Sequence, residues 1–213
     1  MTSDPRAQLQ SGASQLGLHL SEAQIDTLLA YVALLRKWNR VYSLTTVDEP
    51  TETVARHLLD SLAMVPYING PRILDLGTGA GLPGIPLAIA LPEWQWTLLD
   101  SSQKKIRFVR QALLELRIAN GHAVATRVED FTGSENLAKF STIITRAVAL
   151  IPELLELAGH LIAPGGRFVF MKATVAEQET ASLPAGFFVR EVARLTVPHL
   201  AAERHAVVIE KSA

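Results

Sequence analysis

The apolar positions of this 213-residue chain change period near residue 70. Before that point the spacing is helical. Ile25, Leu28, Leu29, Val32 and Leu35 recur at three- and four-residue intervals, the stripe of an amphipathic helix. Ser21 with Gln24 makes a capping-box signature at its start, so a helix is predicted from Ser21 to about Asn39. Trp38, at the end of that pattern, reads as a core anchor. Residues 1–20 carry a weaker pattern through Leu9, Leu16 and Leu18 and predict a helix with a frayed start. Thr51 is expected to cap a further helix with Val54, Leu58, Leu62 and Val65 on one face. Arg56, His57, Asp60 and Ser61 share its other side, because neighbours four apart stack. That polar side is either a solvated face or a functional one. Asn69-Gly70-Pro71 then makes a turn.

From Arg72 onward short apolar runs alternate with helical patterns. Strands are expected near 72–76, 95–99, 122–126, 141–145 and 166–171, and helices near 84–91, 103–118, 150–162 and 174–181. This alternation implies a parallel sheet. Pro164-Gly165-Gly166 reads as a tight turn into the fifth strand. Residues 186–194 and 204–210 alternate as a closing antiparallel hairpin. The expected architecture is α/β, with seven mostly parallel strands. Residues 1–213 are expected to form a single domain, with 1–70 a helical extension on a core of 71–213.

Composition narrows the chemistry. Net charge is −1, so no large basic surface is expected, although a local basic patch is compatible with it. No stretch approaches the 18 apolar residues of a membrane span, and the N-terminus lacks a signal peptide's apolar core. A soluble, cytoplasmic protein is expected. Cysteine is absent, which excludes disulfides, thiolate metal sites and cysteine nucleophiles. His57 and Asp60 lack an evident third ligand, so no metal site is expected.

The most informative stretch runs from Arg72 to Pro86. Ile73, Leu74 and Leu76 form a buried strand, Gly77, Gly79 and Gly81 a loop, and Pro83 and Pro86 suit the opening turn of a helix. Such a loop lies at a strand's carboxyl end, where open parallel sheets bind ligands. The dinucleotide fingerprint requires glycine at the sixth place, which is Leu82 here. Asp75 would repel a pyrophosphate but not a cationic sulfonium or amine. Asp100, at the end of the next strand, suits a carboxylate accepting from ribose hydroxyls. Together these residues resemble the S-adenosylmethionine site of class I methyltransferases, which have a Rossmann-like sheet.

A narrower resemblance covers nearly the whole chain. Lys37-Trp38-Asn39, Arg56-His57-Leu58-Leu59-Asp60-Ser61-Leu62, Asp75 to Pro86, Leu99-Asp100-Ser101, Lys104-Lys105, Arg146-Ala147-Val148-Ala149 and Glu203-Arg204-His205 follow in order. They resemble the bacterial glucose-inhibited division protein B family, also called RsmG. The family uses S-adenosylmethionine to methylate N7 of one guanine in 16S ribosomal RNA of the small (30S) subunit. Ser43, Ser141 and Ala173 depart from the family's usual Asn, Asp and Gly.

The resemblance implies roles. Gly77, Gly79 and Gly81 would admit the cofactor's amino-acid end, with Leu82 packing beside it. Asp75 would favour the ammonium, directly or through water, and Asp100 would take the ribose. Val128 and Glu129 match the adenine-edge position, although Glu129 equally suits a carboxylate capping Asp130 and Phe131. Arg146 matches a cofactor-proximal arginine and is the candidate catalytic residue, with a structural salt bridge as the alternative. Guanine N7 has no proton to lose, so no general base is required. Arg56, His57, Lys104, Lys105, Lys172 and Arg204 are candidates for RNA contact, each with a solvated or structural role as the alternative. The expected partner is 16S RNA or the 30S subunit, with no membrane or DNA partner, and the chain is expected to act as a monomer. Other RNA, protein or small-molecule acceptors for the same fold remain open.

Overall fold

The computed structural model describes residues 4–131, 139–146, 150–175 and 177–212. Three helical segments precede the sheet: α1 (Pro5–Gln15), α2 (Glu22–Tyr42) and α3 (Pro50–Thr53). The chain then passes through a π-helical turn (Val54–Leu59), α4 (Asp60–Leu62) and a 3₁₀ turn (Val65–Tyr67). The core follows as β1 (Arg72–Leu76), α5 (Gly84–Ala90), β2 (Gln95–Asp100), α6 (Gln103–Glu115), β3 (Gly121–Ala125) and β4 (Phe140–Arg146). It closes with α7 (Ile151–Ala158), β5 (Ile162–Lys172), α8 (Glu177–Ala181), β6 (Phe187–Leu195) and β7 (Arg204–Lys211).

The seven strands form one sheet in the order β3-β2-β1-β4-β5-β7-β6. β1 to β5 pair in parallel, and β7 runs antiparallel between β5 and β6. The expected α/β sheet with a terminal antiparallel pair is therefore present. Successive connections diverge where β1 pairs with both β2 and β4, opening a crevice at their carboxyl ends. Alternation along β1 feeds two cores. Ile73 joins Trp96, Leu98, Phe108 and the N-terminal helices on one face. Leu74 and Leu76 join Ile143, Leu154, Phe168 and Phe170 on the other. Ser141 pins the start of β1: its Oγ accepts from the Arg72 amide at 3.0 Å and donates to the Arg72 carbonyl at 2.8 Å.

The N-terminal extension is bonded into this core. The capping box on α2 is present, and the Gln24 side chain also donates to the Ile89 and Ala90 carbonyls at the end of α5. The Tyr31 hydroxyl donates to the Ala80 carbonyl at 2.8 Å inside the glycine loop. Trp38 stacks on Tyr42 and meets Phe108 at a tilt of 60°, as a core anchor does.

Several boundaries differ from expectation, each for a local reason. α2 continues past Asn39 to Tyr42, because Ser43 adopts a left-handed cap at φ 49° and ψ 57°. The cap of α3 is Glu49 rather than Thr51. Its carboxylate accepts from the Glu52 amide, and the Thr51 hydroxyl donates to it. The predicted continuous helix over this region is broken by the π-helical turn. Its polar side is solvated only at Arg56: His57, Asp60 and Ser61 are all buried. Pro164-Gly165-Gly166 lies inside β5 rather than before it. Phe140 pairs with Ile162 and Thr142 with Arg167, so the intervening residues loop out of register. α6, α7 and α8 are each shorter than their sequence patterns suggested.

Ser43 is exposed, and its left-handed backbone costs an L-residue roughly 1–2 kcal/mol. Ser43→Gly should therefore raise unfolding stability by about 0.5–1 kcal/mol in urea denaturation, with the slope unchanged.

Candidate functional site

The crevice is a cleft of about 570 Å³, within the range of small-molecule sites. Its floor is Leu76 and the loop Gly77-Thr78-Gly79-Ala80 with Leu82. One wall is Leu99, Asp100, Ser101 and Lys105, and another is Thr126 to Glu129. Leu44 and Thr45, from the N-terminal extension, and Arg146, at the end of β4, complete it.

The loop's shape is set by hydrogen bonds to both flanking strands. The Gly77 and Thr78 amides donate to the Leu99 carbonyl at 2.8 and 2.9 Å. Thr145 Oγ1 donates to the Leu76 carbonyl at 2.9 Å. Gly77 and Gly79 both have positive φ, at 75° and 59°, which an L side chain would strain. Asp100 Oδ2 accepts from the Gly79 amide at 2.9 Å, and Oδ1 accepts from the Ser102 amide at 2.8 Å. Lys105 Nζ lies 3.7 Å from Oδ2. Each carboxylate oxygen retains capacity to accept a further hydrogen bond.

Asp75 requires a correction. It is fully buried and is not among the cleft-lining residues, so it does not meet a ligand ammonium directly. Its Oδ2 accepts from the Thr78 hydroxyl at 2.6 Å and from the Gly84 amide at 2.8 Å. Burial pushes its carboxyl up to about 7, opposed by these two bonds and by Arg146. Asp75 therefore ties the loop to the first turn of α5. Gly81 also lies off the cleft, turning the chain into that helix. Gly84 is a fourth glycine that the loop reading passed over. A Cβ there would lie 2.1 Å from Leu98 Cδ2 and 2.5 Å from Asp75 Oδ2. The nine-residue spacing from Asp75 to Gly84 is the signal that could have found it.

Arg146 both borders the cleft and takes part in an ion pair. It lines the cleft, its Nη1 lies 3.5 Å from Asp60 Oδ2, and it donates to the Arg56 carbonyl at 3.3 Å. Asp60 is 2% exposed and also accepts from Arg204 Nε at 2.9 Å. Burial raises its carboxyl above the ordinary value, while the two guanidiniums pull it down. Val128 and Glu129 line the cleft where they were expected. The Asp130 and Phe131 amides donate to the backbone carbonyls of Arg127 and Val128, so that turn is closed by main-chain groups. The Ala147-Val148-Ala149 motif lies outside the described residues.

The candidate RNA contacts do not form one free patch. His57 is internal, with Nε2 2.9 Å from Thr45 Oγ1, and burial drives its imidazole down to about 4. It supports the cleft wall at Thr45 rather than facing solvent. Arg56 pairs with Glu52, Lys172 with Glu179, and Arg204 with Asp60. Lys104 lies over the Tyr42 ring, 5.9 Å from its centroid, and Lys105 reaches toward Asp100. Of these candidates Lys105 lines the cleft, and Lys104 neighbours it on α6.

The sheet order, with a glycine loop after β1 and a carboxylate ending β2, defines a class I methyltransferase-type α/β fold. An O-methyltransferase TomG structure from Streptomyces achromogenes, determined in complex with SAM, superposes with TM-score 0.60 at 17% identity over 100% of both chains. A profile of the family GidB, rRNA small subunit methyltransferase G, matches residues 24–208. "Ribosomal RNA small subunit methyltransferase G" from Nitrosospira multiformis is 44% identical over 98% of this chain and 99% of its own length. The protein of the same name from Burkholderia thailandensis is 47% identical over 96% and 91%. The chain belongs to the ribosomal RNA small subunit methyltransferase G family.

Two outcomes follow from this geometry. Asp75→Ala orphans a buried hydroxyl and an amide, so it should cost roughly 2–4 kcal/mol in denaturant unfolding. Asp75→Asn keeps an acceptor and should cost less. For His57, the unfolded ring takes a proton near 6.5 and the folded ring only near 4. Between those values the unfolded chain binds more protons, so His57 removes stability as pH falls from 6.5 toward 4, by roughly 2–3 kcal/mol. The stability difference between wild type and His57→Gln, measured by urea unfolding, should change across that window and be constant above it.

Proposed function

We propose that this chain transfers a methyl group from S-adenosylmethionine to N7 of one specific guanine in 16S ribosomal RNA of the small subunit, acting in the cytoplasm as a monomer. The observation that carries the cofactor half is the cleft itself: a bare-backbone loop facing Asp100, at the switch point of a parallel sheet. Gly77 to Gly79 would receive the cofactor's amino-acid end. Asp100 would accept from the ribose hydroxyls, Val128 and Glu129 would border the adenine, and Leu82 would pack against the cofactor. The residues present fit that molecule, which supplies an electrophilic methyl group on a sulfonium.

The acceptor half rests on family membership. Guanine N7 presents a lone pair on the major-groove edge and loses no proton on attack. Its methylation needs approach in line with the breaking bond, and orientation alone supplies roughly 7–11 kcal/mol in favourable cases. Arg146, Leu44 and Thr45 line the cleft and would border the incoming base, while Lys104 and Lys105 would meet backbone phosphates. The N-terminal extension works with the core as one unit, since Tyr31, Thr45 and Asp60 all bond to or line parts of the site.

The test is methyl transfer. Purified chain and labelled S-adenosylmethionine should modify small subunits from cells lacking the protein, at one guanine mapped by reverse transcription after N7-specific cleavage. Label appearing only in protein or in small metabolites would refute the RNA assignment. Gly77→Val, which places a β-branched residue at φ 75°, should lose cofactor affinity by at least about tenfold in calorimetry.

A further inference from the structure

We infer that Asp60 is a positioning residue whose buried negative charge makes the cleft tolerate a cationic cofactor beside Arg146. The inference rests on the cofactor assignment above and concerns how the site accepts a sulfonium in particular. Among the described cleft-lining residues, cations outnumber carboxylates: Lys105, Arg127 and Arg146 stand against Asp100 and Glu129. A molecule carrying positive sulfur enters this cleft against repulsion, and Arg146 is the least exposed of the cations at its rim. Arg146 is 25% exposed and Asp60 is 2% exposed, so their interaction is only weakly screened by water.

Asp60 stands behind Arg146 and outside the cleft. Its Oδ2 lies 3.5 Å from Arg146 Nη1, while Oδ1 accepts from Arg204 Nε at 2.9 Å. The same Arg146 nitrogen donates to the Arg56 carbonyl in the π-helical turn. One edge of the Arg146 guanidinium is thereby committed to the N-terminal extension. The carboxylate does two jobs from this place: it fixes which way Arg146 points and offsets part of its field in the cleft. Arg204 competes for the same carboxylate and weakens that offset. The arrangement explains why Asp60 is buried: it links the end of β4, the start of β7 and the helical extension.

The two ligands of the reaction separate charge from shape. S-adenosylmethionine carries a positive sulfur, whereas S-adenosylhomocysteine has a neutral thioether and nearly the same outline. A residue with a purely architectural role affects both alike. Calorimetric titration of both into wild type and Asp60→Asn at pH 8 should show the ratio of the two dissociation constants moving against S-adenosylmethionine by about fivefold or more. Arg204→Gln should move the same ratio the opposite way, because the carboxylate is then left to Arg146 alone. It also keeps the question open to measurement if Asp60→Asn does not fold. An unchanged ratio in whichever of these variants folds would overturn the inference. If wild type binds neither ligand, the cofactor assignment itself fails, and that outcome is distinct from an unchanged ratio.

Discussion

The site depends on one buried carboxylate. α5 begins at Gly84 with no side-chain cap, so its first amides need acceptors from elsewhere. Asp75 supplies one of them and holds the Thr78 hydroxyl with the same oxygen. The approach is so close that a side chain at position 84 would have to displace Leu98 and the Asp75 carboxylate. Once that contact exists, the course of the loop from Gly77 to Gly81 is fixed between β1 and α5. The Leu99 carbonyl then anchors its start, and Asp100 anchors Gly79 from the neighbouring strand. Bare backbone is thus presented toward the cleft by charges and amides that do not themselves face it, apart from Asp100.

The N-terminal helices belong to this arrangement rather than decorating it. Tyr31 reaches the Ala80 carbonyl, His57 holds Thr45 against the cleft, and Asp60 meets Arg146. These contacts come from three places along the extension and converge on the glycine loop and its rim. Burying His57 and Asp60 has an electrostatic cost, which hydrogen bonds and paired guanidiniums offset.

Much of the architecture was legible because the hydrophobic period changes sharply at Arg72. The strands were placed within a few residues, and the cleft wall at Asp100 followed from a strand end, whereas Val128 and Arg146 came from the family resemblance. What escaped prediction was direction and partnership. Asp75 was read as facing a ligand, although strand alternation puts it on the Ile73 face, toward α5, and leaves Leu74 and Leu76 on the other. The π-helical turn was invisible because Val54, Leu58 and Leu62 fit an ordinary helix equally well. The partners of His57, Lys172 and Arg204 were not legible because Thr45, Glu179 and Asp60 reach them only in the folded chain, whereas Arg56 pairs locally with Glu52, four residues before it. The looped-out residues of β5 were taken for a turn because proline and glycines mark both alike.

The central claim is that the backbone loop after β1 and the carboxylate ending β2 together hold the methyl donor. A crystal structure of the chain with S-adenosylhomocysteine tests this most directly. The account predicts the ribose hydroxyls within hydrogen-bonding distance of Asp100 and the amino-acid end against Gly77 to Gly79, with the Asp75–Gly84 bond unbroken. Ligand bound elsewhere on the fold, or Asp100 bonded only to Gly79 and Ser102 with the ligand in place, would contradict it.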